Sequence, residues 1–218
     1  MGIECMISLE VAGPFAMFSR PDTGSTPISY PVPTYSAAKG MFEAVSRVPQ
    51  VYVRPVKIEI CKPIRYERFV TNYGGPLRKP AQCTKDNNYQ LVATVLVDVQ
   101  YRLYAELIVK RSTRGKARQG TRRRRGKDWA AMLKDRFEQR LADGQTFYTP
   151  CLGWKEFVPT YFGPLQSETR PDQSIDMVIP SLLHEMWEHK QPKPTFRQNV
   201  EIVKGVMWFD RRASVNAQ

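Results

Sequence analysis

The sequence predicts an α+β fold of the ferredoxin-like type, with a long insertion before its second helix. Three observations predict it. The elements run strand, helix, strand, strand pair, helix, further strands. Two segments carry apolar residues at helical spacing while the segments between them alternate with a period of two. The 218 residues are 42% apolar and 25% charged, ordinary globular composition and enough for one proper core. Periodicity supports the class and leaves the topology open.

Residues 3 to 11 alternate loosely between apolar and polar, as an N-terminal strand would. Pro14 to Pro21 reads as an irregular segment carrying Phe15, Phe18 and Arg20. In SYPVPTYSAAKGMFEAV, Pro33 ends an extended stretch and Thr34 is a good N-cap. Tyr35, Ala38, Phe42 and Val45 then follow at helical spacing. Gly40 inside this helix costs roughly 1 kcal/mol against Ala, which a close approach to neighbouring backbone would offset.

Val51 to Glu59 is rich in β-formers, and Tyr89 to Val109 is long enough for a hairpin. Within the latter, Val92, Thr94, Leu96 and Asp98 alternate against Ala93, Val95, Val97 and Val99, so both faces are at least half buried. Gly74-Gly75-Pro76 marks a loop between these strands. Asp128 sits where the N-cap of a second helix belongs, Trp129, Met132, Leu133, Phe137 and Leu141 form its apolar face, and Gly144 closes it. Phe147 to Phe162 is aromatic and punctuated by proline. Asp176 to Leu183 and Val200 to Phe209 read as strands or short helices.

The formal net charge of +12 has one source. From Lys110 to Lys127 there are ten basic residues and no acidic one: Lys110, Arg111, Arg114, Lys116, Arg118, Arg122, Arg123, Arg124, Arg125 and Lys127. Taking those ten from the chain's 33 leaves 23 against 21 acidic residues, so the remainder is nearly neutral. With Gly115, Gly120 and Gly126 and almost nothing apolar, the stretch predicts a mobile, solvated loop. A phosphate backbone is a dense line of negative charge, and cations that neutralise it release counterions. Arginine predominates, and its fork matches phosphate oxygens and stacks on bases. The reading is nucleic-acid binding, most naturally RNA, although charge alone does not separate RNA from DNA.

Cys5, Cys61, Cys83 and Cys151 are far apart and no pair has metal-ligand spacing; His184 and His189 lack two further ligands. No metal and no cofactor is expected. With no signal peptide and no apolar run near 18 residues, a reduced cytoplasmic setting without membrane contact is expected.

Four blocks then carry a resemblance. Ser29-Tyr30-Pro31-Val32-Pro33-Thr34-Tyr35 with Ala38-Lys39-Gly40 resembles the first-helix motif of the CRISPR-associated Cas-five family, subtype I-C. Gly13-Pro14-Phe15-Ala16-Met17-Phe18, Gly126-Lys127, and Pro150-Cys151-Leu152-Gly153 with Glu156-Phe157 are similar to it in the same order, over roughly residues 5 to 165. The resemblance implies a RAMP-type ferredoxin-like domain over 1–150, including the basic loop 110–127, and a small β-rich elaboration over 151–218. It implies capping of the guide-RNA 5′ handle in the Cascade surveillance complex. The implied partners are a Cas-seven-family backbone subunit and a Cas-eight-family large subunit, with contact to target DNA left open. It also implies handle contacts from Arg20, Tyr35 and Lys39 beside the basic stretch.

Members of subtype I-C cut precursor guide RNA without metal by attack of the ribose 2′-OH, leaving a 5′-hydroxyl and a 2′,3′-cyclic phosphate. Matched residue by residue, their Tyr-Lys-His set falls here on Ser46, Lys127 and Asp128. Lys127 could stabilise charge, but Ser46 has no useful proton affinity near neutral pH and Asp128 would repel a phosphate. The expectation is therefore a subunit that binds and caps the handle without cutting it. The alternative is an endoribonuclease with a rearranged site, in which Tyr30 or Tyr35 replaces the lost tyrosine. Trp154 and Phe157 are expected either to stack on a handle base or to be buried.

Overall fold

A computed structural model describes residues 5–24, 26–48, 51–73, 89–109, 119–188 and 191–209; for 72–73, 89, 109, 119–128, 187–188 and 191–192 it describes the backbone alone. The first strand, β1 (Cys5–Ala16), is followed by helix α1 (Tyr35–Val45), β2 (Val51–Ile60), β3 (Tyr66–Tyr73) and the long β4 (Tyr89–Val109). Helix α2 (Gln119–Ala142) leads to β5 (Tyr161–Gly163), β6 (Met177–Glu188), β7 (Gln191–Val203) and β8 (Val206–Trp208). They form one sheet in the order β5-β1-β4-β2-β8-β7-β6, with β3 added to β4, and every pairing of named strands is antiparallel.

β4 is one strand of 21 residues and not a hairpin. Its first half pairs with β3, Tyr89 opposite Tyr73 through Leu96 opposite Tyr66, and its second half lies between β1 and β2. The change of partners falls at Asp98, which has φ +52° and whose carboxylate accepts from Lys62 Nζ (2.6 Å) and Arg65 (2.7 Å). An aspartate tolerates the left-handed region better than most residues. The β1 register steps from Gly13↔Val99 to Phe15↔Val97, passing over Pro14 and Asp98. A proline without an N–H and a residue at positive φ thus share one break in the ladder, and β1 continues through the segment read as irregular.

Helix α1 begins as its sequence dictates: Thr34 is extended (φ −67°, ψ 163°) and its hydroxyl accepts from Ala37 N. Tyr35, Ala38, Met41, Phe42, Ala44 and Val45 are buried. Nothing lies within 4 Å of a Cβ built on Gly40, so no close backbone approach offsets that glycine. Its carbonyl accepts instead from Tyr148 Oη at 2.7 Å. The carbonyls at the far end of α1 are satisfied from outside: Ala44 O by Phe147 N (2.7 Å) and Val45 O by Arg140 Nε (2.8 Å). A guanidinium at a helix C-terminus also complements the dipole.

The second helix begins at Gln119, not at Asp128. Half of the stretch predicted as a loop is therefore helical, and Asp128 is an interior helix position and not an N-cap. Arginine, lysine and glutamine are good helix formers, and interior glycines such as Gly120 and Gly126 cost only about 1 kcal/mol each. The buried face is Ala130, Leu133, Phe137 and Leu141, at spacings of three, four and four. Trp129 (41% exposed) and Met132 (50%) lie off it, correcting the apolar face read from the sequence. Phe137 meets Phe42 at a ring separation of 5.9 Å, joining the helices over the core. Gly144, at φ +67°, ends α2 as expected.

Candidate nucleic-acid interface

The geometry of α2 decides how its basic residues are presented. A helix of 24 residues is about 36 Å long, and its buried face begins at Ala130. Positions 122 to 127 occupy the turns immediately before that face. Four consecutive arginines wrap most of a turn, while positions 123, 124 and 127 share a face through spacings of three and four. Arg111, Arg114, Lys116 and Arg118 lie outside the described residues.

Ser46, the position matching the family's tyrosine, is the C-cap of α1, its N–H bonded to Phe42 O at 3.2 Å. It lines a pocket of about 20 Å³, room for one water, with Glu43, Arg47, Val48, Leu133 and Phe137 among its neighbours. Lys127 is six residues upstream of Leu133, about 9 Å along the helix. Helical periodicity carries position 128 to the side opposite the buried face. The structure therefore does not gather Ser46 and position 128 on one side of α2.

The other predicted contacts are distributed. Arg20 is held by Asp22 through Nε (3.1 Å) and a second nitrogen (2.7 Å), and its guanidinium lies 5.8 Å from the Tyr30 ring. A phosphate there would compete with a bidentate carboxylate. Tyr30 is buried and its hydroxyl accepts from Leu183 N at 3.2 Å, so it packs the approach to α1. Phe157 is buried against Phe15 and Phe69, and Trp154 stacks on Phe157 with its indole N–H on Ser19 Oγ (3.1 Å). Burial, and not base stacking, accounts for Phe157.

Two of the motif blocks meet here. Met17 N bonds to Leu152 O at 2.8 Å, and a Cβ on Gly153, at φ +93°, would lie 1.8 Å from Met17 O. A Cβ on Gly13 would lie 2.5 Å from the Leu152 side chain. The Gly13 and Gly153 blocks are thus the two sides of one close contact.

Tyr35 and Lys39, one helical turn apart, do come together, and residues far along the chain join them. Tyr35 is buried between His184 (ring separation 4.2 Å) and Phe209 (5.4 Å, near perpendicular). Its hydroxyl is 2.8 Å from Tyr52 Oη, which donates to Glu185 Oε1 at 3.4 Å. Lys39 Nζ stands 4.4 Å over the Tyr52 ring. Burial pushes both phenols above their ordinary value of 10.0, Tyr35 the further. Burial, reinforced by Arg197, pulls His184 below 6.5 and keeps it neutral at pH 7. The spacing of Tyr35 and Lys39 was legible as a shared helix face; nothing in the sequence linked it to Tyr52 or His184.

Among the described residues, the cations of β2 and β4 are committed. Arg54 bonds Glu106, Lys57 Nζ bonds Glu59 at 2.6 Å, and Arg102 lies between Glu10 (3.4 Å) and Glu59 (3.8 Å). Glu10 is fully buried and also accepts from Gln100, Thr169 and Gln166 N. A phosphate could approach those cations only by displacing carboxylates, so α2 is the better anion surface. No helix among the described residues is long and apolar enough to cross a membrane.

Comparison with known proteins gives a consistent result. The family model described as CRISPR-associated protein (Cas_Cas5) matches residues 6–214. A "CRISPR pre-crRNA endoribonuclease Cas5d" of Thermus thermophilus is 29% identical over 196 residues, 88% of this chain and 79% of that protein. A protein of the same name from Mannheimia succiniciproducens is 28% identical over 223 aligned positions, covering 92% and 93%. Among solved structures, one described as a CRISPR-associated protein superposes with a TM-score of 0.69 at 16% identity, covering 98% of this chain and 96% of that one. A chain of a structure described as a CRISPR RNA-guided surveillance complex gives 0.52 at 13% identity, covering 93% and 91%. At those identities the likeness is one of fold.

Proposed function

Because the chain belongs to the CRISPR-associated Cas5 family, we propose that it binds and caps the 5′ handle of the guide RNA as a subunit of a Cascade surveillance complex. The observation that carries this reading is the basic half of α2, held in register by a docked half. Arg122 to Arg125 and Lys127 stand on a helix anchored to the core through Ala130, Leu133, Phe137 and Leu141. The fold is read as RAMP-type ferredoxin-like; the segment order β1-α1-β2-β4-α2-β5 and the strand order β5-β1-β4-β2 support it. On this reading residues 1–150 form the RNA-binding part and 151–218 an elaboration that continues the sheet. The partners on this reading are a Cas-seven-family backbone subunit and a Cas-eight-family large subunit, with contact to target DNA left open, in the cytoplasm.

Capping without cutting is the reading for Ser46, Lys127 and Asp128, because Ser46 and Asp128 supply neither a base nor an acid suited to neutral pH and Lys127 alone would only stabilise charge. A second reading is that the chain nevertheless processes precursor guide RNA. The names of the two curated relatives favour it. Capping holds under either reading.

The test is replacement of Arg122, Arg123, Arg124 and Arg125 together by Ala, with affinity for handle RNA measured across a salt series. If each arginine neutralises one phosphate of a single strand, the slope of log K against log salt falls by about 2.8. An unchanged slope would show that this half of α2 faces solvent or protein.

A further inference from the structure

The two ends of α1 differ in chemistry. At one end Ser46 supplies no group that titrates near neutrality. At the other, α1, β2 and β6 bring Tyr35, Lys39, Tyr52, His184 and Glu185 together, with Arg197 of β7 beside them. Among the described residues, neither imidazole nitrogen of His184 has a hydrogen-bond partner, and neither Lys39 nor Arg197 is paired with a carboxylate. This contrasts with Arg54, Lys57 and Arg102, each of which is matched by a carboxylate. Half-buried acid, base and cation groups gathered at one point, the imidazole without a hydrogen-bond partner among the described residues, are what a reaction site keeps.

We propose that this cluster is an acid–base site for a phosphodiester of RNA, with His184 as the base for a ribose 2′-OH, Tyr52 as the acid, and Lys39 and Arg197 carrying the developing negative charge. It rests on the second reading above, and assigns that reaction to the opposite end of α1 from Ser46. His184 takes the 2′-OH proton as the 2′-oxygen bonds to phosphorus. The bond from phosphorus to the 5′-oxygen breaks, and that oxygen leaves with the proton of Tyr52, which turns to it from Glu185 Oε1 while Lys39 and Arg197 offset that carboxylate's charge. The products are a 2′,3′-cyclic phosphate and a 5′-hydroxyl; the proton on His184 returns to the Tyr52 phenolate through solvent. Tyr35 is a positioning residue: clamped between His184 and Phe209, its hydroxyl bonds Tyr52 Oη and stabilises the phenolate left behind.

The groups facing His184 are Tyr35 from α1, Arg197 from β7 and Glu185 on its own strand. Burial and Arg197 hold its pKa down while Glu185 raises it, with the net shift downward from 6.5. Because the base must be unprotonated, the single-turnover rate should rise with pH through an apparent pKa below that value and then level.

The experiment incubates the purified full chain with RNA carrying its own repeat, in EDTA, and measures single-turnover cleavage beside RNA affinity. The expected result is site-specific cleavage that falls at least about 100-fold in His184→Gln, with affinity within threefold. Should His184→Gln also lose affinity, Tyr52→Phe decides, because it keeps the ring under Lys39; a rate loss of about tenfold or more supports the assignment and an unchanged rate overturns it. Cleavage untouched by His184→Gln overturns the site and leaves the processing reading standing. Absence of cleavage in the unmodified chain overturns both.

Discussion

Phe137→Ala tests how α2 is fixed to the sheet. Phe137 is 1% exposed, its ring is 5.9 Å from that of Phe42, and it walls the pocket beside Ser46. Truncating a buried phenylalanine costs about 3–5 kcal/mol through lost burial and a residual cavity. In a chain of this size each kcal/mol shifts Tm by about 2–4 °C, so the variant should melt about 6–20 °C lower. The control is Met132→Ala, one turn away but 50% exposed, which should stay within about 0.5 kcal/mol. Thermal and urea denaturation followed by circular dichroism measure both. Equal losses from the two variants, or a loss below about 1 kcal/mol from Phe137→Ala, would mean that the buried face of α2 has been assigned the wrong phase. The presentation of Arg122 to Arg125 would then need to be redrawn.

Two further outcomes concern the backbone. Gly153→Ala should destabilise by at least about 2 kcal/mol in the same assay, because φ +93° disfavours any side chain and the new Cβ would lie 1.8 Å from Met17 O. At Asp98, the hydrogen bond from Lys62, with Arg65 beside it, holds the carboxyl below its ordinary 3.8. Its stabilisation is present above that value and is lost as pH falls through the lower folded one. Asp98→Asn keeps a residue that tolerates positive φ, so acid unfolding followed between pH 5 and 2 should lose a small part of its pH dependence; a curve steeper than that of the unmodified chain would contradict the pairing.

How far the sequence was legible depended on the range of the forces involved. Helix α1 was readable because Thr34 and the spacing of Tyr35, Ala38, Phe42 and Val45 are local. The end of α2 at Gly144 was readable for the same reason. The start of α2 was not, because a run of arginines satisfies both the pattern of a solvated loop and the propensity of a helix. β3 was missed: Tyr66 to Tyr73 is stabilised by its partner Tyr89 to Leu96, and its own alternation is weak. The single long β4 was read as a hairpin because the break at Asp98 is decided by Lys62, Arg65 and Pro14, which lie far off in sequence. Of the candidate site, Lys39 and Tyr35 could be named from helix spacing. Their partners Tyr52 and His184 could not, since only the meeting of α1, β2 and β6 brings them near.

That meeting has a mechanical side. The β6–β7 hairpin packs on the core through Ile179, Leu182, Leu183, Val200 and Ile202, and two further sets of bonds tie it down. One is the short β8 ladder, Lys57 opposite Trp208 through Glu59 opposite Val206. The other is a side-chain latch, Tyr30 Oη to Leu183 N, Tyr52 Oη to Glu185 and the Tyr35 ring on His184. Swinging the hairpin outward would open the latch as well as expose that apolar face. A load that strains the latch is therefore felt at the first turn of α1, through the Tyr35 ring on His184.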